Sequence, residues 1–265
     1  MKMVICGKIL LFALVICLVY VFVLYNILRN LIFFPFKKYV APHSPFVENI
    51  LTMKDGVKVM TWYAKGDKQK PVFLYFHGNA FQLAYYTEPL EPLIEQGYGV
   101  LMMEYRNFGN TKGKTLQKDI FSDAAETFDW LKTQGYPEII VYGYSYGTSV
   151  ASGLTSLRPV DKLILTAPFS SLYKLVKEKQ VPLAGLLLKD HYPSEEYLAQ
   201  YHNPLLIVHG NEDRLIPYHH GQKLYEAAAS TDKKFVLVEG ASHQPIYFDK
   251  LNIPAIFEWL EEHNL

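Results

Sequence analysis

The chain of 265 residues has only two cysteines, Cys6 and Cys17, and both lie near the N-terminus. From Tyr39 onward there is none, which excludes a disulfide framework, a cysteine-ligated zinc site and a cysteine nucleophile from the body of the protein. A surplus of positive charge is also missing. The 26 basic side chains balance 26 acidic ones, whereas a general nucleic-acid binder shows a basic excess or stripe. The balance hides an asymmetry: residues 1–47 hold Lys2, Lys8, Arg29, Lys37 and Lys38 but no Asp or Glu, leaving 21 basic against 26 acidic residues in the rest. Neither G-x-G-x-x-G nor H-x-x-x-H occurs, and no repeat, low-complexity tract or linker follows residue 47. What the chain does have is apolar and aromatic material. Half its residues are hydrophobic and it carries 20 Tyr and 16 Phe, too many for a disordered chain and enough for one large domain with a closed core.

One apolar run is long. Ile9–Leu28 is 20 residues without a charge and with a single amide, Asn26. As a helix it would measure about 30 Å, the thickness of a bilayer's hydrocarbon core. Tyr20, Tyr25, Phe33, Phe34, Phe36 and Tyr39 accompany it, as expected near a membrane interface. A cleaved signal would have a shorter apolar region ending in small residues, and no A-x-A pattern ends this one. Residues 1–38 are therefore expected to be a single-pass membrane anchor, with its helix at 9–28, ahead of one domain at 39–265. Basic residues flank the run evenly, so the positive-inside rule assigns no side of the membrane.

Short runs rich in β-branched and aromatic residues recur through the body: Val72–Phe76, Val100–Met103, Ile139–Tyr142, Leu163–Leu165, Leu205–Val208 and Phe235–Val238. They are apolar at consecutive positions, the pattern of strands covered on both faces in a parallel sheet. Helical spacing separates them, as in Asp119–Thr133, where Ile120, Ala124, Phe128 and Leu131 make one stripe. Ahead of them, Glu48–Met53 and Val57–Tyr63 flank Lys54-Asp55-Gly56, a hairpin signal. The fold class implied is α/β, a mostly parallel sheet flanked by helices.

The chemistry falls at strand ends. Gly143-Tyr144-Ser145-Tyr146-Gly147 follows one strand run and precedes the apolar segment Ser149–Leu157. A sharp strand-to-helix turn of this kind exposes a strained central residue, and glycines on either side let strand and helix approach. A serine nucleophile needs a base and a group to orient that base. Asp213 follows the strand run at 205–208 and His243 the run at 235–238, giving the order Ser145, Asp213, His243 with separations of 68 and 30 residues. Open α/β sheets place their sites at these carboxyl ends. The run Val72–Phe76 ends in His77-Gly78-Asn79-Ala80, so the backbone N–H groups of Tyr146 and Asn79 are the expected oxyanion donors, with Ala80 as the alternative to Asn79.

With these residues in this order the body resembles the α/β-hydrolases, and it is similar to the small membrane-anchored abhydrolase group that includes protein depalmitoylases. The matching segments are Leu31–Pro35, His77–Ala80, Tyr105–Gly109, Gly143–Gly147, Pro168–Ser171, His209–Pro217 and Gly240–His243. Phe81 and Asn107 stand where that group usually has Gly, and Ile216 where it has Val. The first two are expected near the site, bearing on the acyl pocket. The resemblance implies a serine hydrolase without cofactor or metal, acting on carboxylic esters or thioesters such as lipids or S-acylated proteins. A peptidase or amidase on the same triad, or a scaffold without catalysis, is the alternative. Residues 168–203 would form a small cap, with the apolar patch Val181–Leu188 facing an acyl chain or packing on the body.

Several rivals are weaker. His77 and His209 sit in His-Gly turns and are read as structural. Adjacent His219 and His220 should point apart on a helix, arguing against a metal. Glu212 neighbours Asp213 as a rival acid, and Arg106 is expected to anchor its loop electrostatically. Gly109–Thr115 resembles a phosphate-binding loop, but Phe108 occupies the position of its required first Gly.

Overall fold

The sheet that the apolar runs imply has eight strands. They are β1 (Val47–Thr52), β2 (Lys58–Ala64), β3 (Val72–Phe76), β4 (Gly99–Met103), β5 (Ile139–Tyr144), β6 (Lys162–Thr166), β7 (Leu205–Gly210) and β8 (Lys233–Val238). They lie in the order β1-β2-β4-β3-β5-β6-β7-β8, antiparallel through β1, β2 and β4 and parallel from β4 to β8. The computed structural model describes residues 2–32, 34–35, 38–180 and 188–265.

Alternation along the strands divides the core between two faces. Val72, Leu74 and Phe76 of β3 join α3 (Gln117–Lys132) and α4 (Tyr146–Leu154) in one cluster, while Phe73 and Tyr75 join Leu93 of α2 (Glu91–Glu95) and Trp259 of the C-terminal helix Ile253–Glu262 in the other. The stripe expected on α3 is the one that packs: Ile120, Ala124, Phe128 and Leu131 are all buried. The sheet margins differ from the expectation. Along β8 every residue is only half-buried, because β8 is an edge strand paired with β7 alone.

The Lys54-Asp55-Gly56 turn closes β1 onto β2, with Gly56 at φ 83°. It also reaches across to Arg106. That buried guanidinium grips Asp123 of α3 through two contacts of 2.6 and 2.7 Å and Asp55 through one of 2.6 Å. Asp123 thus occupies an inward position on the mostly apolar buried face of α3, and the pair ties the Tyr105–Gly109 loop to α3. The Gly109–Thr115 segment is consumed by the fold: Thr111 Oγ1 accepts from Met60 N–H, and Thr115 donates to the Arg106 carbonyl.

At the N-terminus a single helix, α1 (Lys2–Ile32), runs through and beyond the expected span. Its segment Gly7–Tyr25 is long and apolar enough to cross a membrane, and none of it is buried against the body. Two residues after it ends, Phe34–Pro35 pair in parallel with Ala80–Phe81, beside the His77–Ala80 turn. Between β6 and β7 the expected cap contains α5 (Leu172–Glu178) and α6 (Ser194–Leu198). Of these two described helices, α5 lines the cavity beside Ser145. Leu198 of α6 belongs to the main core. Residues 181–187 of the apolar cap patch lie outside the described residues.

Removing one partner of a buried ion pair leaves an uncompensated charge. Asp123→Ala is therefore expected to cost about 3–5 kcal/mol. Urea denaturation would measure it, and a cost below about 1 kcal/mol, the ceiling typical of exposed pairs, would contradict the role given to Arg106.

Candidate active site

The turn from β5 into α4 takes a single residue. Ser145 adopts φ 52° and ψ −118°, outside the regions an L-residue ordinarily occupies, and caps α4, which begins at Tyr146 rather than at the expected Ser149. The flanking glycines are obligatory on steric grounds. A Cβ on Gly147 would stand 2.0 Å from the Phe76 carbonyl oxygen, and one on Gly143 would stand 2.5 Å from the Gly147 carbonyl. The N–H of Ser145 donates to the Thr166 carbonyl at 2.9 Å, so the turn is fastened to β6.

The three predicted side chains meet. Ser145 Oγ lies 2.9 Å from His243 Nε2, and His243 Nδ1 lies 2.6 Å from Asp213 Oδ2. The carboxylate can only accept, so Nδ1 carries the proton and Nε2 offers its lone pair to the serine hydroxyl. Asp213 is buried, which alone would raise its pKa. Hydrogen bonds from His209 and His243, with the Ile216 N–H at 2.8 Å, outweigh burial and hold the carboxyl well below the usual range. The rival Glu212 is exposed.

The supporting residues were only partly anticipated. His209 is structural, as expected, but acts directly on the acid: its Nε2 lies 2.9 Å from the Ile216 carbonyl and 3.4 Å from Asp213 Oδ2. Their spacing of four residues was the available signal. Tyr144 was missed. Its ring stacks on the His243 imidazole at 5.5 Å and its hydroxyl donates to the His243 carbonyl at 3.1 Å. His77, also structural, sits beneath the Gly78–Ala80 turn with Nδ1 2.7 Å from the Gly78 carbonyl and Nε2 2.9 Å from the buried Glu104. Against expectation, His219 and His220 do not diverge: their rings stack at 4.7 Å at the start of α7 (His219–Ala227).

Ser145 and His243 open onto a cavity of about 360 Å³, within the range of small-molecule sites. Asn79, Ala80 and Tyr146 line it beside the serine, and Leu172, Leu175 and Val176 of α5 form an apolar wall. Among the described residues no Asp or Glu lines it. Phe81 is at its margin with φ 71°, a conformation that suits the Gly of the resembling group and strains a phenylalanine. Asn107 also has φ 73°, but it is not in the cavity wall. It closes a turn to Thr111 instead, a correction to the expectation that both departures bear on the pocket.

A family described as serine aminopeptidase, S33, matches residues 67–198 and 193–250. An uncharacterized protein of Mycobacterium tuberculosis is 32% identical over 247 residues, covering 88% of this chain and 87% of that protein. The lysophosphatidylserine lipase ABHD12 of Rattus norvegicus is 29% identical over 197 residues, covering 65% of this chain and 49% of the lipase. Among solved structures, an esterase of Pyrococcus furiosus superposes with a TM-score of 0.70 at 21% identity, covering 86% of this chain and 96% of the esterase, which shows the shared fold.

Two outcomes follow from this geometry. Gly147→Ala forces β3 and α4 apart and is expected to cost at least about 2–3 kcal/mol in a denaturation experiment; an unperturbed variant would contradict the close approach. The folded pKa of Asp213 is depressed, so its contribution to stability is complete above the unfolded value of about 3.9 and is lost as pH falls through the folded value. The stability that Asp213 contributes relative to Asp213→Asn should shrink as pH falls below about 4. A difference that grew below about pH 4 would show that the carboxylate is not held ionised by its neighbours.

Proposed function

The chain belongs to the serine aminopeptidase family of α/β-hydrolases, and on that premise we propose that it is a membrane-anchored serine hydrolase that cleaves acyl esters of lipids. The observation that carries this reading is the unbroken hydrogen-bonded line Ser145–His243–Asp213 opening onto an apolar cavity. In the proposed reaction His243 Nε2 takes the Ser145 proton as Oγ attacks the ester carbonyl. The N–H groups of Tyr146 and Asn79 receive the oxyanion, and His243 then gives its proton to the departing alcohol. Water attacks the acyl-enzyme by the same route, with Asp213 ionised throughout to orient the imidazole and stabilise its cationic form.

Three features favour an ester of a lipid. Leu172, Leu175 and Val176 supply an acyl-binding wall. An aminopeptidase needs an acid to receive its substrate's ammonium group, and none lines the described pocket. Lys179 instead puts a positive charge at the margin, which fits an anionic headgroup such as the lysophosphatidylserine named for the rat relative. Membrane anchoring by α1 agrees with this substrate. The two residues from the end of that helix to the Phe34–Ala80 pairing span at most about 7 Å, keeping the pocket margin close to the lipid surface.

The test presents the full-length protein in lipid vesicles with matched acetyl and palmitoyl esters, a palmitoyl thioester and a palmitoyl amide. The palmitoyl ester should exceed the acetyl ester by at least about tenfold in kcat/KM, with the amide far below both. Val176→Asp should erase the chain-length preference. Equal turnover of amide and ester would overturn the ester reading, and faster turnover of the thioester would move the substrate to S-acylated proteins.

A further inference from the structure

A second cluster of chemistry-bearing side chains lies away from Ser145, where the cap helix meets α7. Glu178 ends α5, and His219 and His220 open α7. The stacking of the two imidazoles turns both Nε2 atoms to the same carboxylate oxygen, Glu178 Oε2, at 3.0 Å from His219 and 3.3 Å from His220. All three donor atoms fall within 4.8 Å of one another. Ligand atoms about 2.0–2.1 Å from a tetrahedral zinc-type ion are separated by about 3.3 Å, close to the two spacings seen here.

His220 provides an independent reason. It is fully buried, its Nδ1 lies 2.9 Å from Ser170 Oγ and 3.4 Å from the Ser170 backbone nitrogen, and its Nε2 makes no hydrogen bond, although the Glu178 oxygen is within ion-pair distance. A buried polar atom without a partner is costly. In the tautomer that donates Nδ1–H to Ser170 Oγ, the Nε2 lone pair is directed at a carboxylate, which is repulsive until a cation lies between them. A hydrogen bond from the far ring nitrogen is also what orients an imidazole for metal binding.

We propose that Glu178, His219 and His220 are a three-ligand site for a zinc-type divalent cation, with its fourth position open to water, that staples the cap helix to the body. Two imidazoles and one carboxylate suit zinc or cobalt and poorly suit magnesium or calcium, which prefer oxygen ligands throughout. Lys223, one turn along α7, brings an opposing charge, but its side chain is exposed and free to turn toward solvent. The placement gives the ion a structural consequence. α5 carries the apolar wall of the cavity, and α7 begins three residues after Ile216, whose N–H holds Asp213. A bound ion would lock the pocket wall against the segment that positions the acid.

The experiment uses untagged full-length protein in detergent, stripped with a chelator and titrated with Co²⁺. One equivalent per chain should bind with the visible absorption of a four-coordinate nitrogen and oxygen site, zinc should displace it, and zinc should raise Tm. Glu178→Gln and His219→Gln change partly exposed side chains, so both variants should fold, and each should weaken the metal by roughly 10- to 100-fold or more. No saturable binding, a six-coordinate spectrum, or binding that neither substitution alters would overturn the site. Because the readouts are a spectrum and a melting temperature, they stand apart from the hydrolase assignment.

Discussion

The backbone of Ser145 is the constraint on which the rest depends. A non-glycine residue at φ 52° and ψ −118° persists only when its surroundings over-determine it. Here they do so through contact distances: Gly147 lets α4 press onto the end of β3, and Gly143 lets it press onto β5. Strand order makes this geometry available. β5 lies between β3 and β6, so the Asn79 turn stands on one side of the serine and Thr166 on the other. Acyl transfer benefits from donors fixed before charge develops, and a serine clamped between two strands beside a helix N-terminus meets that need without rearrangement.

A second theme is that the loops around the serine are held from below by buried polar pairs. His77 and Glu104 support the Asn79 turn, His209 and the N–H of Ile216 support Asp213, and Arg106 with Asp123 supports the loop after β4. Each group is buried, so separating it from its partner would be expensive, which favours one arrangement of each loop over many. The apolar side of the site is built differently, from Leu172, Leu175 and Val176 of the short helix α5. Buried polar support beneath Ser145, Asp213 and Asn79 and an apolar wall beside them suit the chemistry proposed for the site.

Much of this was legible from the sequence. The strands were visible because parallel strands covered on both faces read as continuous apolar runs, and the order of Ser145, Asp213 and His243 was visible because each follows such a run. Other features were illegible for physical reasons. Tyr144 reads as one more core aromatic, and only the tertiary fold stacks it on His243. Phe81 and Asn107 look alike as replacements for Gly and do share a positive φ, yet one borders the cavity and the other closes a turn outside the cavity wall. The convergence of His219 and His220 depends on stacking at the first turn of a helix, which ideal helical geometry does not anticipate. The pairing of Phe34–Pro35 with Ala80–Phe81 joins residues far apart in sequence and carries no local signature.

The central claim is that the strained serine is an activated nucleophile. It is tested most directly by treating the full-length protein in membranes with a fluorophosphonate and locating the adduct by peptide mass spectrometry, beside Ser145→Ala. The account predicts one adduct, on Ser145, that is absent from the variant. An adduct on another serine, or none on a demonstrably folded protein, would contradict it.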